Sequence, residues 1–264
     1  MLMPDTRLIF PKVDRVVYAK NPLHEVVCQL RYPTLLRITN EIPAAFQERI
    51  RASFPEYSEE VNALVPAGLP PQVVQLLSGS TMAKRHRFST RDGATSVLMD
   101  GQNLTFTTSK YLSWDDFSGL AYSTVDAFLE EYSPNFISRI GLRYQNHITA
   151  LDGDKGMRWA DYIRRELVGV LSDKRWESNI FEFASIVRCN LENDGDRLLL
   201  QYGLVGDESD QKIFNLDFDY YFEQETEPKD ARDVIDRLHG YSGPAFRWAI
   251  QDRLHQDLDP QPAG

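Results

Sequence analysis

Three stretches of this sequence place charged or amide side chains at alternate positions, with apolar residues between them. The first contains Glu25, Gln29 and Arg31, the second Arg139, Arg143 and His147, and the third Asn215, Asp217 and Asp219. Successive side chains of a β-strand point to opposite faces, so each set would share one face of its strand. If the three strands lie close together, carboxylates and guanidinium groups would pair across a sheet surface or a cleft.

The sequence leaves two interpretations of these charged faces open. In the first, the faces are solvated or lie between domains, and their charges pair for solubility and orientation. In the second, they form a contact surface for a partner chain or a pocket for a small anionic molecule, which forked arginine side chains bind well. His147 is the histidine best placed to take part, because it shares its face with Arg139 and Arg143.

The same residues suggest metal binding or acid–base hydrolysis as further alternatives. Asp217 and Asp219 would project the same way, about 7 Å apart along a strand, and with Glu25 they could hold Mg²⁺, which prefers carboxylates and water. However, the sequence has no D-x-D-x-D-G loop, and its five histidines lack metal-ligand spacing. It also lacks G-x-S-x-G, P-loop and dinucleotide-binding motifs. We therefore predict no metal and no cofactor, and whether the protein is an enzyme stays open.

The overall charge bears on the kind of partner. With 29 basic and 39 acidic residues among 264, the net charge is −10. Nucleic-acid binding needs a basic face, so the charge disfavours a nucleic-acid partner and suits a protein partner that is itself basic. No apolar run approaches the roughly 18 residues of a membrane helix, and the first ten residues lack signal-peptide features, which predicts a cytoplasmic protein away from membranes. Cys28 and Cys189 are expected to be free, buried thiols.

The elements that would position these residues are antiparallel strands and amphipathic helices, so the predicted fold class is α+β. Aspartyl-glycine turns at 92–93 and 100–101 predict a meander of short strands. The predicted helices span 43–54, 114–132, 157–171 and, with a bend, 231–258. Residues 55–80 are predicted to be an irregular loop and 259–264 to be frayed. The clearest strand pattern spans 213–222, and strand 180–190 is predicted to bury one face, which carries Phe181, Phe183, Val187 and Cys189.

We predict two tightly associated α+β halves, residues 1–150 and 151–264, each an antiparallel sheet packed with amphipathic helices. The polar loop 151–156 is the predicted boundary. Because a long helix follows the strands in each half, the halves suggest a divergent internal duplication. The last helical region has an apolar stripe that could pack in the core or supply the surface of a homodimer, formed by Phe246, Trp248, Ile250 and Leu254.

Several motifs along the chain resemble those of one protein family. They are N-P-L-H-E-V-V-C-Q-L-R-Y-P at 21–33, R-I-G-L-R-Y-Q-N at 139–146, L-D-F-D at 216–219, and Leu238-His239 followed by A-F-R-W-A-I. The chain is similar to a sporadically distributed, largely uncharacterised bacterial family whose opening signature is P-L-x-E-V-x-x-Q-x-R-[FY]-P. The resemblance implies no reaction. The positions that match the family's motifs are Pro22, Leu23, Glu25, Gln29, Arg31, Pro33, Arg139, Arg143, Tyr144, Asn146, Asp217 and Asp219.

Sporadic occurrence in that family suggests mobile, defence-linked or toxin–antitoxin-like gene cassettes. The first hypothesis is therefore a non-enzymatic, cytoplasmic, protein-binding accessory or antitoxin-like component. The alternative is an enzyme, or a sensor of a nucleotide or another small anion, with a charged cleft on the sheet face. The candidate binding residues are Glu25, Gln29, Arg31, Arg139, Arg143, Tyr144, Asn146, His147, Asp217 and Asp219.

Overall fold

A computed structural model describes residues 9–63, 82–149, 158–177, 179–206 and 212–262. Its strands are β1 (Val16–Tyr18), β2 (Leu23–Arg31), β3 (Glu56–Ala63), β4 (Met82–Ser89), β5 (Thr95–Met99), β6 (Asn103–Thr108), β7 (Arg139–Ile148), β8 (Phe183–Asn190), β9 (Asp196–Gly206), β10 (Lys212–Phe222) and β11 (Pro260–Pro262). Its α-helices are α1 (Leu36–Asn40), α2 (Ala44–Ile50), α3 (Trp114–Tyr132), α4 (Trp159–Tyr162), α5 (Arg165–Val168), α6 (Lys174–Glu177), α7 (Ala231–Gly240), α8 (Ser242–Ala249) and α9 (Asp252–Asp257). Helices and strands both contribute substantially, so the predicted α+β class is confirmed.

Nine of the strands form an antiparallel sheet, whose hydrogen-bonded order is β3-β4-β5-β6-β2-β7-β10-β9-β8. A separate two-stranded sheet pairs β1 with β11, with Val17 opposite Gln261. The predicted fraying of the C-terminal residues is therefore wrong for Pro260–Pro262, because these residues pair with β1.

The described residues cluster into two compact units. The meander unit comprises residues within Val27–Ile140 and Gln224–Ala231, and the terminal unit comprises those within Met1–Val26, Gly141–Glu223 and Arg232–Gly264. The boundaries of these units differ from those of the predicted halves, 1–150 and 151–264. The start of the chain belongs to the same unit as its end, since β1 pairs with β11. The tight association of two α+β halves, and their descent from a duplication, stay predictions. The boundary loop 151–156 lies outside the described residues.

The meander unit follows the turn signals of the sequence closely. Asp100 Oδ1 accepts the backbone N–H groups of Gln102 and Asn103 at 2.8 and 2.9 Å, which closes the β5–β6 turn. In the turn before it, Gly93 has φ +70°, a conformation that favours glycine. α3 starts where it was predicted, because Ser113 Oγ accepts the N–H of Asp116 at 3.1 Å as an N-cap.

The meander unit's core is aromatic. Helix α3 buries Phe117 against Phe106 of β6, with ring centroids 5.1 Å apart. Phe46 of α2 packs on Phe88 of β4 at 5.4 Å. Phe46 and Ile50 of α2, and Phe54 just after it, are all buried.

In the terminal unit, β10 carries apolar side chains on one face and mainly polar side chains on the other. Phe214, Leu216, Phe218 and Tyr220 are almost fully buried. Trp159 of α4 packs on Phe214 with ring centroids 5.5 Å apart. The predicted strand 213–222 is thus confirmed within one residue.

Three further predictions about local structure are wrong. The helix expected over 157–171 is broken after Tyr162, because Ile163 forms a bridge to Ile250 instead of continuing the helix. Residues 56–63 are not loop but β3, paired with β4; residues 64–80 lie outside the described part. The helical region after 231 consists of three helices, α7 to α9, rather than one bent helix.

Candidate functional site

The best-defined contact among the predicted site residues joins Arg143 of β7 to Asp217 of β10, both in the terminal unit. Arg143 Nε donates to Asp217 Oδ1 at 2.7 Å, and Nη2 donates to Oδ2 at 2.6 Å. The Asp217 side chain is 4% exposed, whereas that of Arg143 is 38% exposed. Because this bidentate pair occupies two donors of the guanidinium, Arg143 is largely committed to Asp217.

Two further predicted carboxylates lie near this pair. The hydrogen bonds to Asp217 raise the pKa of Arg143 most, and the negative charges of Asp219 and Glu25 raise it further. One guanidinium therefore faces three carboxylates, and the surroundings of Arg143 are acidic. Within the described ranges, no group of three or more His, Cys, Asp or Glu side chains is arranged to hold a metal ion. The alternative of a magnesium site at Glu25, Asp217 and Asp219 gains no support.

His147 stacks on His24 in the same unit, with ring centroids 4.0 Å apart and planes 14° from parallel. Partial burial lowers the pKa of His147, and the neighbouring His24 lowers it further, while Asp217 acts in the opposite direction. The backbone N–H of His147 donates to the carbonyl of Pro22 at 2.9 Å, which fixes the stack to the start of β2. His147 is therefore suited to a neutral ring at pH 7.

Tyr144 and Asn146 lie on the buried face of β7, opposite the charged row. Asn146 is 3% exposed, and its Nδ2 donates to the carbonyl of Leu216 at 3.1 Å. The Tyr144 hydroxyl lies 2.7 Å from Nδ1 of His239 on α7. These two residues of the family motif thus hold β7 against neighbouring elements of the terminal unit.

His239 is a half-buried histidine held in its neutral form. Its Nε2 lies 3.0 Å from Nη2 of Arg15, which can only donate, so Nδ1 carries the ring proton and faces the Tyr144 hydroxyl. Burial lowers the pKa of His239 to about 3, and the charge of Arg15 contributes. Protonating this ring would place two cations in contact.

We expect His239 to make the protein less stable in acid. In the unfolded chain an ordinary histidine binds a proton below about pH 6.5, whereas folded His239 resists protonation down to a pKa of about 3. The stabilisation is therefore complete above pH 7 and is lost as the pH falls from 6.5 towards 3, by up to about 1.4 kcal/mol per pH unit.

Urea unfolding between pH 4.5 and 7 would measure how steeply the free energy of unfolding changes with pH. His239→Gln is the matched variant. The variant keeps a neutral polar group but cannot be protonated, so its slope should be shallower than that of the wild type. Equal slopes for the two proteins would assign the acid sensitivity to other groups.

The remaining predicted site residues belong to the meander unit. Arg139 Nη1 donates to Gln29 Oε1 at 3.1 Å, and Gln29 Nε2 donates to Thr105 Oγ1 at 3.3 Å. Arg31, at the end of β2, is exposed and lines a cavity of about 470 Å³. The predicted residues thus fall into a charged cluster in the terminal unit and a polar row in the meander unit.

Four exposed apolar residues on β8 or shortly before it were not predicted from the sequence, and we call them the β8 edge: Trp176, Phe181, Ile186 and Val187. Their exposed fractions are 60%, 80%, 57% and 40%. The prediction that Phe181 and Val187 are buried is wrong, and Cys189 is only half-buried, because β8 ends the sheet and pairs with β9 alone among the described strands. A shortage of charges over 180–190 was the one signal in the sequence.

A comparison of the chain with models of protein families gave no match, and a comparison with curated proteins gave none either. The resemblance to the sporadic bacterial family stays a prediction. None of the helices in the described part of the chain is both long and apolar enough to cross a membrane.

Proposed function

We propose that this protein binds another protein by adding a strand of that partner to the β8 edge. The observation that carries the proposal is that β8, eight residues long, pairs on one side only among the described strands while it exposes apolar side chains. An unpaired strand edge offers a row of N–H and C=O groups, which an extended segment of a partner can satisfy.

The side chains of β8 favour such a contact on both faces. Ile186 and Val187 are neighbours in sequence, so they point to opposite faces, and both are exposed. Phe181 and Trp176 lie just before the strand and are more exposed still. Arg188 is the one charged residue within β8. A few residues near the centre of an interface contribute most of the binding energy, and tryptophan is among the types most often found there.

The other terminal strand of the sheet lacks these properties. β3 carries Glu56, Glu59 and Glu60, and Glu59 and Glu60 form ion pairs with Lys84 and Arg87 of β4. Charged side chains are a common protection of sheet edges against unwanted pairing. The contrast supports β8 as an edge that is kept available for a partner.

The charged cluster suits a structural role, which leaves the β8 edge as the proposed binding surface. Arg143 and Asp217 satisfy each other in a bidentate pair, which suits holding two strands in register. We propose a cytoplasmic location, in keeping with a protein-binding role. An antitoxin-like task in a defence or mobile gene cassette stays a prediction from the family resemblance.

The test is co-purification from the native gene neighbourhood with wild-type and Ile186→Lys chains. A lysine in the edge strand should reduce recovery of the partner about tenfold, which corresponds to about 1.4 kcal/mol of binding energy. Ile42→Lys is the matched control, because Ile42 is 72% exposed and lies outside the β8 edge. It should leave recovery unchanged.

Sizing of each preparation separates the outcomes. A wild-type chain that elutes alone as a monomer, or equal recovery with both variants, contradicts the proposal. If the wild type is a dimer and the Ile186→Lys variant is a monomer, the β8 edge binds a second copy of the chain and not a different protein.

A further inference from the structure

An open cavity of about 470 Å³ lies in the meander unit, where β2 ends at Arg31 and the β5–β6 turn passes beside it. Its walls include Arg31, Gln102, Asn103, Phe136 and Ser138. Cavities of this volume accommodate small organic ligands. We infer that it binds a nucleoside monophosphate, with the phosphate at Arg31 and the planar base against Phe136.

The walls of the cavity are fixed by hydrogen bonds on two sides. Tyr32 donates its backbone N–H to the carbonyl of Gln102 at 3.0 Å and its hydroxyl to the carbonyl of Asp100 at 2.8 Å. On the other side, Ser138 donates its N–H and its hydroxyl to the carbonyl of Arg31 at 2.7 and 3.1 Å. A ligand would therefore enter a site that is already formed, which reduces the entropic cost of binding.

Arg31 has unused donors. Its guanidinium makes no hydrogen bond or ion pair with any residue in the described part of the chain. The carboxylate of Asp100 is engaged elsewhere, because it accepts from the backbone of Gln102 and Asn103 and pairs with Arg85 at 3.4 Å. A planar guanidinium with free donors matches the oxygens of a phosphate.

The remaining walls suit a planar ring with its own N–H groups. Asn103 Nδ2 donates to Asp100 and Gln102 Nε2 donates to Thr34, so the two side-chain carbonyl oxygens stay available as acceptors. The ring of Phe136 is half-buried and stacks on no other ring among the described residues. A nucleobase offers both N–H donors and a flat face.

Isothermal titration of the full chain with AMP and UMP tests the inference, with adenosine and inorganic phosphate as partial probes. The nucleotides should bind at least tenfold more tightly than either partial probe, because only they engage Arg31 and Phe136 together. Arg31→Gln should weaken nucleotide binding at least tenfold. Arg91→Gln, which removes the same charge from an exposed turn of the same unit, should change it less than twofold.

Three results would overturn the inference: no heat from either nucleotide at millimolar concentration, equal loss of binding in both arginine variants, or equal binding of phosphate and nucleotides. Tighter binding of a 5′-phosphorylated oligonucleotide than of AMP would assign the site to nucleic-acid ends instead. The inference is independent of strand addition at β8, so Ile186→Lys should bind AMP like the wild type.

Discussion

Asp196→Asn is expected to lower the free energy of unfolding by about 3 kcal/mol or more. The carboxylate is fully buried and accepts from Nε and Nη2 of Arg237, both at 3.0 Å, and from the Tyr241 hydroxyl at 2.9 Å. The asparagine keeps the shape but removes the negative charge, which leaves the guanidinium of Arg237 without a counter-charge. Burial raises the pKa of Tyr241 to about 12, and its hydrogen bond to Asp196 contributes, so the tyrosine stays neutral and cannot replace the lost charge.

Denaturant unfolding of the wild type and the variant at pH 7 measures this loss. Asp173→Asn is the matched control, because Asp173 also binds an arginine through two nitrogens, at 3.1 and 2.6 Å. That partner, Arg175, is 84% exposed, and an exposed ion pair adds little to stability. If both variants lost the same stability, burial would not be the source of the effect at Asp196.

Asp196 also illustrates what sequence patterns cannot provide. Residues 193–196 form a polar turn, in which the N–H of Asp196 donates to the carbonyl of Asn193. The residue that neutralises the carboxylate is 41 positions further along the chain. No periodicity or motif links two residues at that separation, so the pair depends on tertiary structure.

Local signals, in contrast, predicted several elements well. α3 spans Trp114–Tyr132 as expected, because its N-cap, its acidic first turn and its apolar stripe lie within the helix itself. β10 was recognised because five aromatic or leucine side chains alternate with polar ones. The helix expected over 157–171 failed where Ile163 pairs with Ile250, a partner that the local pattern does not contain.

The candidate site shows the same limit. Alternation placed Arg143 and Asp217 on polar strand faces, and the structure joins them at 2.6 Å. Alternation also predicted a buried face for the strand over 180–190, but Val187, which lies in β8, is 40% exposed. Strand order decides whether an apolar face is covered, and a single strand's sequence does not contain the strand order.

Gly203→Ala is expected to cost about 2 kcal/mol or more by separating β8 from β9. Gly203 lies opposite Ala184 in the β8–β9 register. A Cβ at this position would collide with the carbonyl oxygen of Phe183 and lie 2.9 Å from the Cα of Ala184. Both obstacles are backbone atoms, so the strand itself must shift to make room. Glycine within a strand often marks such a close approach.

Gly206→Ala is the matched control in the same strand, because a Cβ there meets nothing within 4 Å. It should change stability by less than about 0.5 kcal/mol. Amide hydrogen exchange locates the effect: Gly203→Ala should accelerate exchange in β8 and leave β10 near its wild-type protection. Since strand addition needs β8 held in place by β9, Gly203→Ala should also reduce partner recovery, although it alters none of the exposed side chains. If amide exchange in β8 is faster but partner recovery is unchanged, partner binding does not depend on β8.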